Sequence, residues 1–183
     1  MHQKHLRAIA FVIRCSGAAM TAYELATLLA LPDAVWAAIS AVIVSQEKLH
    51  DTRSSLAGRI LGTMIGIAVS VAVSAMASRA QAAVAMQMAA AVAICALVTR
   101  RFPKLRVAMY TCQIVLLNAD PSVPVALIAL TRAGEVILGA ITGYAFHHAA
   151  ELAMSALADA NLMSRDALSR RRVLAGGSKD NRE

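Results

Sequence analysis

The sequence predicts an all-α polytopic membrane protein with about six transmembrane helices and both termini in the cytoplasm. The 183 residues are 58% apolar and only 4% aromatic, and the charged ones fall in clusters between long uncharged runs instead of along amphipathic faces, as in a chain solvated by lipid. Residues 60–78 and 80–99 are uncharged over the roughly 20 residues that a helix needs to cross about 30 Å of hydrocarbon. These runs are rich in Ala, Leu and Met and lack the alternation of a membrane barrel, so the elements are helices.

Taken in order, apolar segments place helices near residues 8–30, 33–46, 58–78, 80–99, 105–119 and 122–148. The first carries Arg14 and Glu24. Lys4 and Arg7 precede it, Arg14 interrupts it, and no small-residue cleavage site follows a clean apolar core, so it reads as a retained span and not as a signal peptide. The second and fifth are uncharged only over 34–46 and 107–119. Such short spans survive where neighbouring helices cover them or where they line a wet cavity. The third and fourth are the clean spans, and the sixth carries Arg132 and Glu135.

The cations set the orientation. Lys4 and Arg7, then Lys48, Arg53 and Arg59, then Arg100, Arg101, Lys104 and Arg106, then Arg165 and residues 170–172 all fall on one side. The opposite connections are Leu31-Pro32-Asp33, Ser78-Arg79-Ala80 and Asn118-Ala119-Asp120-Pro121-Ser122, with Arg79 their one cation. The positive-inside rule makes the first side cytoplasmic and disfavours a five-span alternative. Much of the net charge of +7 is accounted for in this way, which leaves no case for nucleic-acid binding.

Residues 1–150 therefore form the membrane domain and 151–183 a basic cytoplasmic tail. Residues 150–173 fit either a surface helix, with Leu152, Leu157 and Leu162 toward lipid, or a frayed tail; residues 176–183 have a disordered composition. Cys15, Cys95 and Cys112 lie in apolar segments without ligand spacing, and His147 and His148 diverge by about 100° on one helix. Neither set holds a metal, and no cofactor is expected. No nucleophile elbow or phosphate loop points to an enzyme.

Two kinds of residue stand out. Gly58, Gly62 and Gly66 make a smooth stripe on the third helix, and Gly139 and Gly143 a shorter one on the sixth. Such stripes let backbones approach closely, here either the two helices against each other or a substrate. The strings Ile60-Leu61-Gly62 and Ile137-Leu138-Gly139 hint at a repeat of inverted topology, common in transporters. The second kind is intramembrane charge. Arg132 lies near the bilayer midplane with Glu135 on the same face three residues on. The pair either fixes helix packing or serves an anion or a proton. Arg59, at the entry to the third span, is an interfacial anchor or an anion contact. Arg14 can reach back to the headgroups. Glu24 has no cation at i+3 or i+4, so it is protonated, paired between helices or exposed to water. Tyr23, Trp36 and Tyr110 read as interfacial or packing aromatics.

The strings Pro32-Asp33-Ala34-Val35-Trp36-Ala37-Ala38-Ile39-Ser40, Val44-Ser45-Gln46 and Arg59-Ile60-Leu61-Gly62-Thr63-Met64-Ile65-Gly66, with Arg132-x-x-Glu135-x-x-x-Gly139, resemble the fusaric acid resistance, or aromatic acid exporter, family over about residues 8–148. The resemblance implies a proton-motive-force-dependent exporter of aromatic or other hydrophobic carboxylic acids in the bacterial inner membrane. Many members look like two six-helix halves, whereas this sequence carries one, so the resemblance also implies a homo-oligomer or a partner subunit. Arg59 and Arg132 then suit the organic anion, and Glu135 or Glu24 the proton. An anion channel of the same architecture and a non-transporting membrane subunit are the alternatives.

Overall fold

The computed structural model describes residues 2–46, 48–119 and 122–177, with side chains over 8–46, 48–119 and 122–156. Glu47, Asp120, Pro121 and residues 178–183 lie outside the described residues, as do the side chains of Leu157, Leu162, Arg165 and 170–172. Among the described residues there are six α-helices and no strand: α1 (His2–Leu28), α2 (Val35–Val44), α3 (Leu49–Ala80), α4 (Val84–Arg101), α5 (Val107–Leu117) and α6 (Val125–Gly177), with a 3-10 turn, Pro103–Leu105, before α5.

Four of them, α1, α3, α4 and α6, are long and apolar enough to cross a membrane, and the chain is a multi-pass membrane protein. The other two expected spans are much shorter. Helix α2 has 10 residues and α5 has 11, about 15 and 17 Å at 1.5 Å per residue, roughly half of a hydrocarbon core. Conversely α3 begins nine residues before its expected start, because the stretch expected as a polar loop continues the helix out of the apolar run. Helix α6 likewise continues without a break past the expected end of the sixth span. The chain forms two compact units, residues 1–147 and 148–183; all that follows concerns the first.

Helix α1 ends on Ala30, whose φ of 52° lets Leu31 N–H reach back to the Ala26 carbonyl at 3.0 Å. Helix α3 ends the same way on Gln81 (φ 50°), with Ala82 N–H donating to the Ala77 carbonyl. These are six-to-one closures of a helix end, here without glycine. Alternating small residues then build the packing. Ala18, Ala22 and Ala26 of α1 are fully buried against Ala37 and Ala41 of α2, with Leu138 and Phe146 of α6 beside them. A second cluster joins Val73 of α3, Ala91 and Cys95 of α4, and Ala108, Cys112 and Leu116 of α5. A third, Ile67, Val115, Ala129 and Ala133, ties α3 and α5 to α6.

The glycine stripes explain the arrangement. They do not face each other, one of the packings expected from the sequence; each receives a short helix from the opposite half of the chain. A Cβ on Gly58 would lie 2.7 Å from the Lys104 carbonyl oxygen, and one on Gly66 2.7 Å from that of Ala108, so the α5 segment lies directly on α3. A Cβ on Gly139 or Gly143 would collide with the carbonyl oxygens of Ala37 and Ala41, so α2 lies on α6. Half one (α1–α3) lends its short helix to the last helix of half two (α4–α6), and half two does the same in return. Two bulky surfaces could not have met at this distance.

Candidate functional site

Helix α2 is the part of the bundle around which the intramembrane charges gather. Its start is held to α6 by a sequence offset of 102: Asp33 N–H donates to Glu135 Oε1 at 2.8 Å, and Ala37 and Ala41 sit on Gly139 and Gly143. Both helices therefore run in the same direction. Its end is closed by Arg14 of α1, whose Nη2 donates to the Gln46 carbonyl oxygen at 2.6 Å, with the guanidinium 5.1 Å from the Phe11 ring centre. Carboxylates at the N-terminal end and a cation at the C-terminal end both complement the helix dipole. Arg14 is buried and caps a neighbouring helix, so it does not reach back to the headgroups as expected. Beside it Gln46 N–H donates to Thr52 Oγ1, which lies 2.7 Å from Nδ1 of the fully buried His147.

Asp33, just before α2, and Trp36 and Ser40 on it follow one another at helical spacing, and each meets a charged group from a long helix. Arg132 Nη1 donates to Glu135 Oε2 at 2.9 Å and Nη2 to Asp33 Oδ2 at 3.0 Å, while its guanidinium carbon lies 4.5 Å from the Trp36 ring centre. That distance is within cation–π range. Arg132 and Glu135 are 4% and 1% exposed, whereas the Asp33 side chain is 51% exposed. One helical turn on, Ser40 Oγ donates to the Trp36 carbonyl and accepts from Arg59 Nη2 at 3.0 Å and Nε at 3.3 Å. Arg59 is 7% exposed. It lies ten residues into α3 and is buried inside the bundle. Arg59 has no ion pair among the described residues.

Arg59 lines a cavity of about 310 Å³ with Ile43, Gln46, Asp51, Ser54, Ser55, Lys104 and Val107. Lys104 and Ser54 also line a larger cavity of about 680 Å³, with Arg53 and Arg101 above an apolar floor of Leu61, Phe102 and Leu105. The smaller volume is at the low end of small-ligand pockets, and its polar lining includes a buried cation with no ion pair among the described residues.

The description of the fusaric acid resistance protein-like family matches residues 19–146, well over half of the chain. The chain belongs to that family. No curated protein and no solved structure gives a match. The matched stretch contains α2 and all of its charged neighbours except Arg14, so the family's shared segment is the one that builds this cluster. Membership of the family makes this a transport-related membrane protein.

Of the residues singled out in the sequence, the structure brings Arg132, Glu135 and Arg59 together along α2. It does not bring Glu24 to them: Glu24 is exposed on α1, with no ion pair among the described residues. The five glycines form the floors on which α2 and α5 lie. The sequence reading does not single out Asp33 or Ser40 as site residues, and it takes Trp36 as an interfacial or packing aromatic. The available signal was that all three stand at helical spacing in the string that carries the family resemblance. Tyr23 and Tyr110 are exposed. Among the described residues no group of His, Cys, Asp and Glu has metal-ligand geometry.

Proposed function

We propose that this protein is a proton-motive-force-dependent exporter of aromatic or other hydrophobic carboxylic acids in the bacterial inner membrane, with a transport path along α2. The observation that carries the reading is Arg59, a buried guanidinium with a hydroxyl partner and no ion pair among the described residues, lining a cavity of about 310 Å³. An organic carboxylate supplies the missing charge, and charge-assisted pairing of this kind is strongest with arginine. On the orientation set by the cations, the Arg53, Arg101 and Lys104 cavity is the cytoplasmic mouth, Arg59 the inner anion contact and Arg132 the outer one. The Asp33 and Glu135 carboxylates beside Arg132 are the proton acceptors. The working unit is a homo-oligomer, supported by the outward-facing Glu24 on a membrane-spanning helix, where lipid offers a carboxylate no partner.

The test is uptake of labelled 4-hydroxybenzoate into proteoliposomes with and without an imposed proton gradient. Coupled transport gives accumulation that collapses with the gradient, and Arg59→Gln reduces it at least about tenfold, the effect of removing roughly 1.4 kcal/mol of binding. Passive equilibration without accumulation would identify an anion channel instead. No flux from correctly folded protein would remove the transport reading for this class of acid.

A further inference from the structure

We propose that Asp33 is an internal stand-in for the transported anion: it occupies half of a two-donor carboxylate seat on Arg132, and an incoming organic carboxylate displaces it. The proposal rests on the functional reading above and assigns the outer anion contact to one edge of one side chain.

Arg132 offers three kinds of N–H group, and they are used unequally. Nη1 is paired with Glu135 at 2.9 Å. That bond is fixed, since Glu135 is 1% exposed, sits three residues away on the same helix and is held through its other oxygen by Asp33 N–H at 2.8 Å. Nη2 is paired with Asp33 at 3.0 Å. Nε is buried and has no hydrogen-bond partner among the described residues. In a guanidinium Nε–H and Nη2–H lie side by side on one edge, and that edge accepts a carboxylate through two parallel bonds. Asp33 bonds to Nη2 alone and leaves Nε, the other donor of that edge, bare among the described residues, which costs free energy in a buried place. A carboxylate docked in the plane of the edge satisfies both.

Asp33 is also the exposed member of the cluster. Its side chain is 51% exposed, it stands on the connection between α1 and α2, and its backbone N–H keeps that connection attached to Glu135 when the side chain swings away. Trp36 covers one face of the guanidinium, so an anion approaches edge-on along the route that Asp33 uses. Displacement of an internal anion lowers apparent affinity by the fraction of time the seat stands empty. This gives a transporter a site that is occupied by its own carboxylate whenever substrate is absent, and Arg132 never faces the membrane interior with an empty edge.

Trp36 is the chain's one tryptophan and stacks on the guanidinium in question, so its emission reports the seat. The experiment titrates the purified full chain, in a neutral detergent, with benzoate. Asp33→Asn, which removes the competing charge and keeps the volume, binds benzoate about three- to tenfold more tightly than the wild type. Asp33→Glu keeps a competing carboxylate and shows no such gain. Arg132→Lys, which has no fork, loses the response. Should Asp33→Asn fail to fold, Asp33→Ser carries the same expectation because its side chain stops short of Nη2. Folded Asp33 variants that bind no more tightly than the wild type, while Arg132→Lys still abolishes binding, would overturn displacement and leave the carboxylate reading standing. Equal binding by Arg132→Lys and wild type would overturn the seat itself. An emission that stays silent in every variant would also overturn it, since a carboxylate cannot dock beside the indole unseen, and gradient-driven flux in vesicles then judges the transport reading on its own.

Discussion

Glu135 is the residue that allows an arginine inside this bundle. A lone cation at membrane depth costs at least about 2.5–3.5 kcal/mol on insertion scales, and Arg132, 4% exposed, has no water to fall back on. Buried ion pairs contribute little net stability against an apolar pair of equal volume, but removing one partner strands the other at a cost of about 3–5 kcal/mol. Asp33 stays paired with Arg132 when Glu135 is removed, so Glu135→Leu destabilises the protein by about 3 kcal/mol, the low end of that range, in denaturant unfolding followed by helicity in detergent. Arg132→Met combined with Glu135→Leu recovers most of the loss, leaving Asp33, which is half exposed, to be solvated. A double variant no more stable than the single would show that Glu135 acts by packing and not by charge. The pair itself was legible in the sequence, because three residues along a helix fix their meeting. Asp33 was not: it is 99 residues from Arg132, and an acid in an outer connection is indistinguishable by sequence from ordinary solvent-facing charge until the register of α2 against α6 is known.

At the scale of elements, the same contrast between local and long-range information decides what could be read. Long uncharged runs gave α4 and the membrane part of α3, since length and hydropathy are properties of one segment. The shortness of α2 and α5 and the partners of the glycine stripes depend on segments about a hundred and about fifty residues away. The stripes announced close approach without naming who approaches. Structure resolves this into a sharp expectation for two glycines of α6, Gly139 of the stripe and Gly134 outside it. At Gly139 an added methyl meets the Ala37 backbone carbonyl, with rigid helix on both sides, whereas at Gly134 its nearest neighbour is Leu31 Cδ2 at 3.9 Å. Gly139→Ala thus destabilises by about 1–3 kcal/mol through overpacking and loosens α2. Gly134→Ala is neutral or stabilising by up to about 1 kcal/mol, because alanine is the better helix former. Thermal unfolding of the two variants in one detergent measures the difference, and equal effects would mean that α2 does not rest on the Gly139 stripe.

Across the whole molecule, the exchange of short helices makes the two halves interdependent: α2 needs the floor of α6 and α5 the floor of α3, so neither triplet closes a core alone. What the exchange leaves uncovered is the outer face of α1. Its inner face is the Ala18, Ala22 and Ala26 stripe, and its outer face presents Val12, Ile13, Met20 and Tyr23 together with the exposed Glu24. The apolar members are at home in lipid; Glu24 is not, even one turn from the end of the helix. In the proposed homo-oligomer a second copy seated there would give the carboxylate a polar neighbour, in keeping with the prevalence of symmetric contacts between identical chains. In a chain with Cys15, Cys95 and Cys112 replaced by alanine, Met20→Cys is then expected to form a disulfide-linked dimer when native membranes are treated with a mild oxidant. Leu97→Cys, on the outward face of α4 and 72% exposed, stays monomeric under the same treatment. Linking at Leu97 but not at Met20 would move the interface to α4. No linking at either, in membranes where both thiols react with a small maleimide, would leave the chain a monomer on these faces and require Glu24 to be served by water.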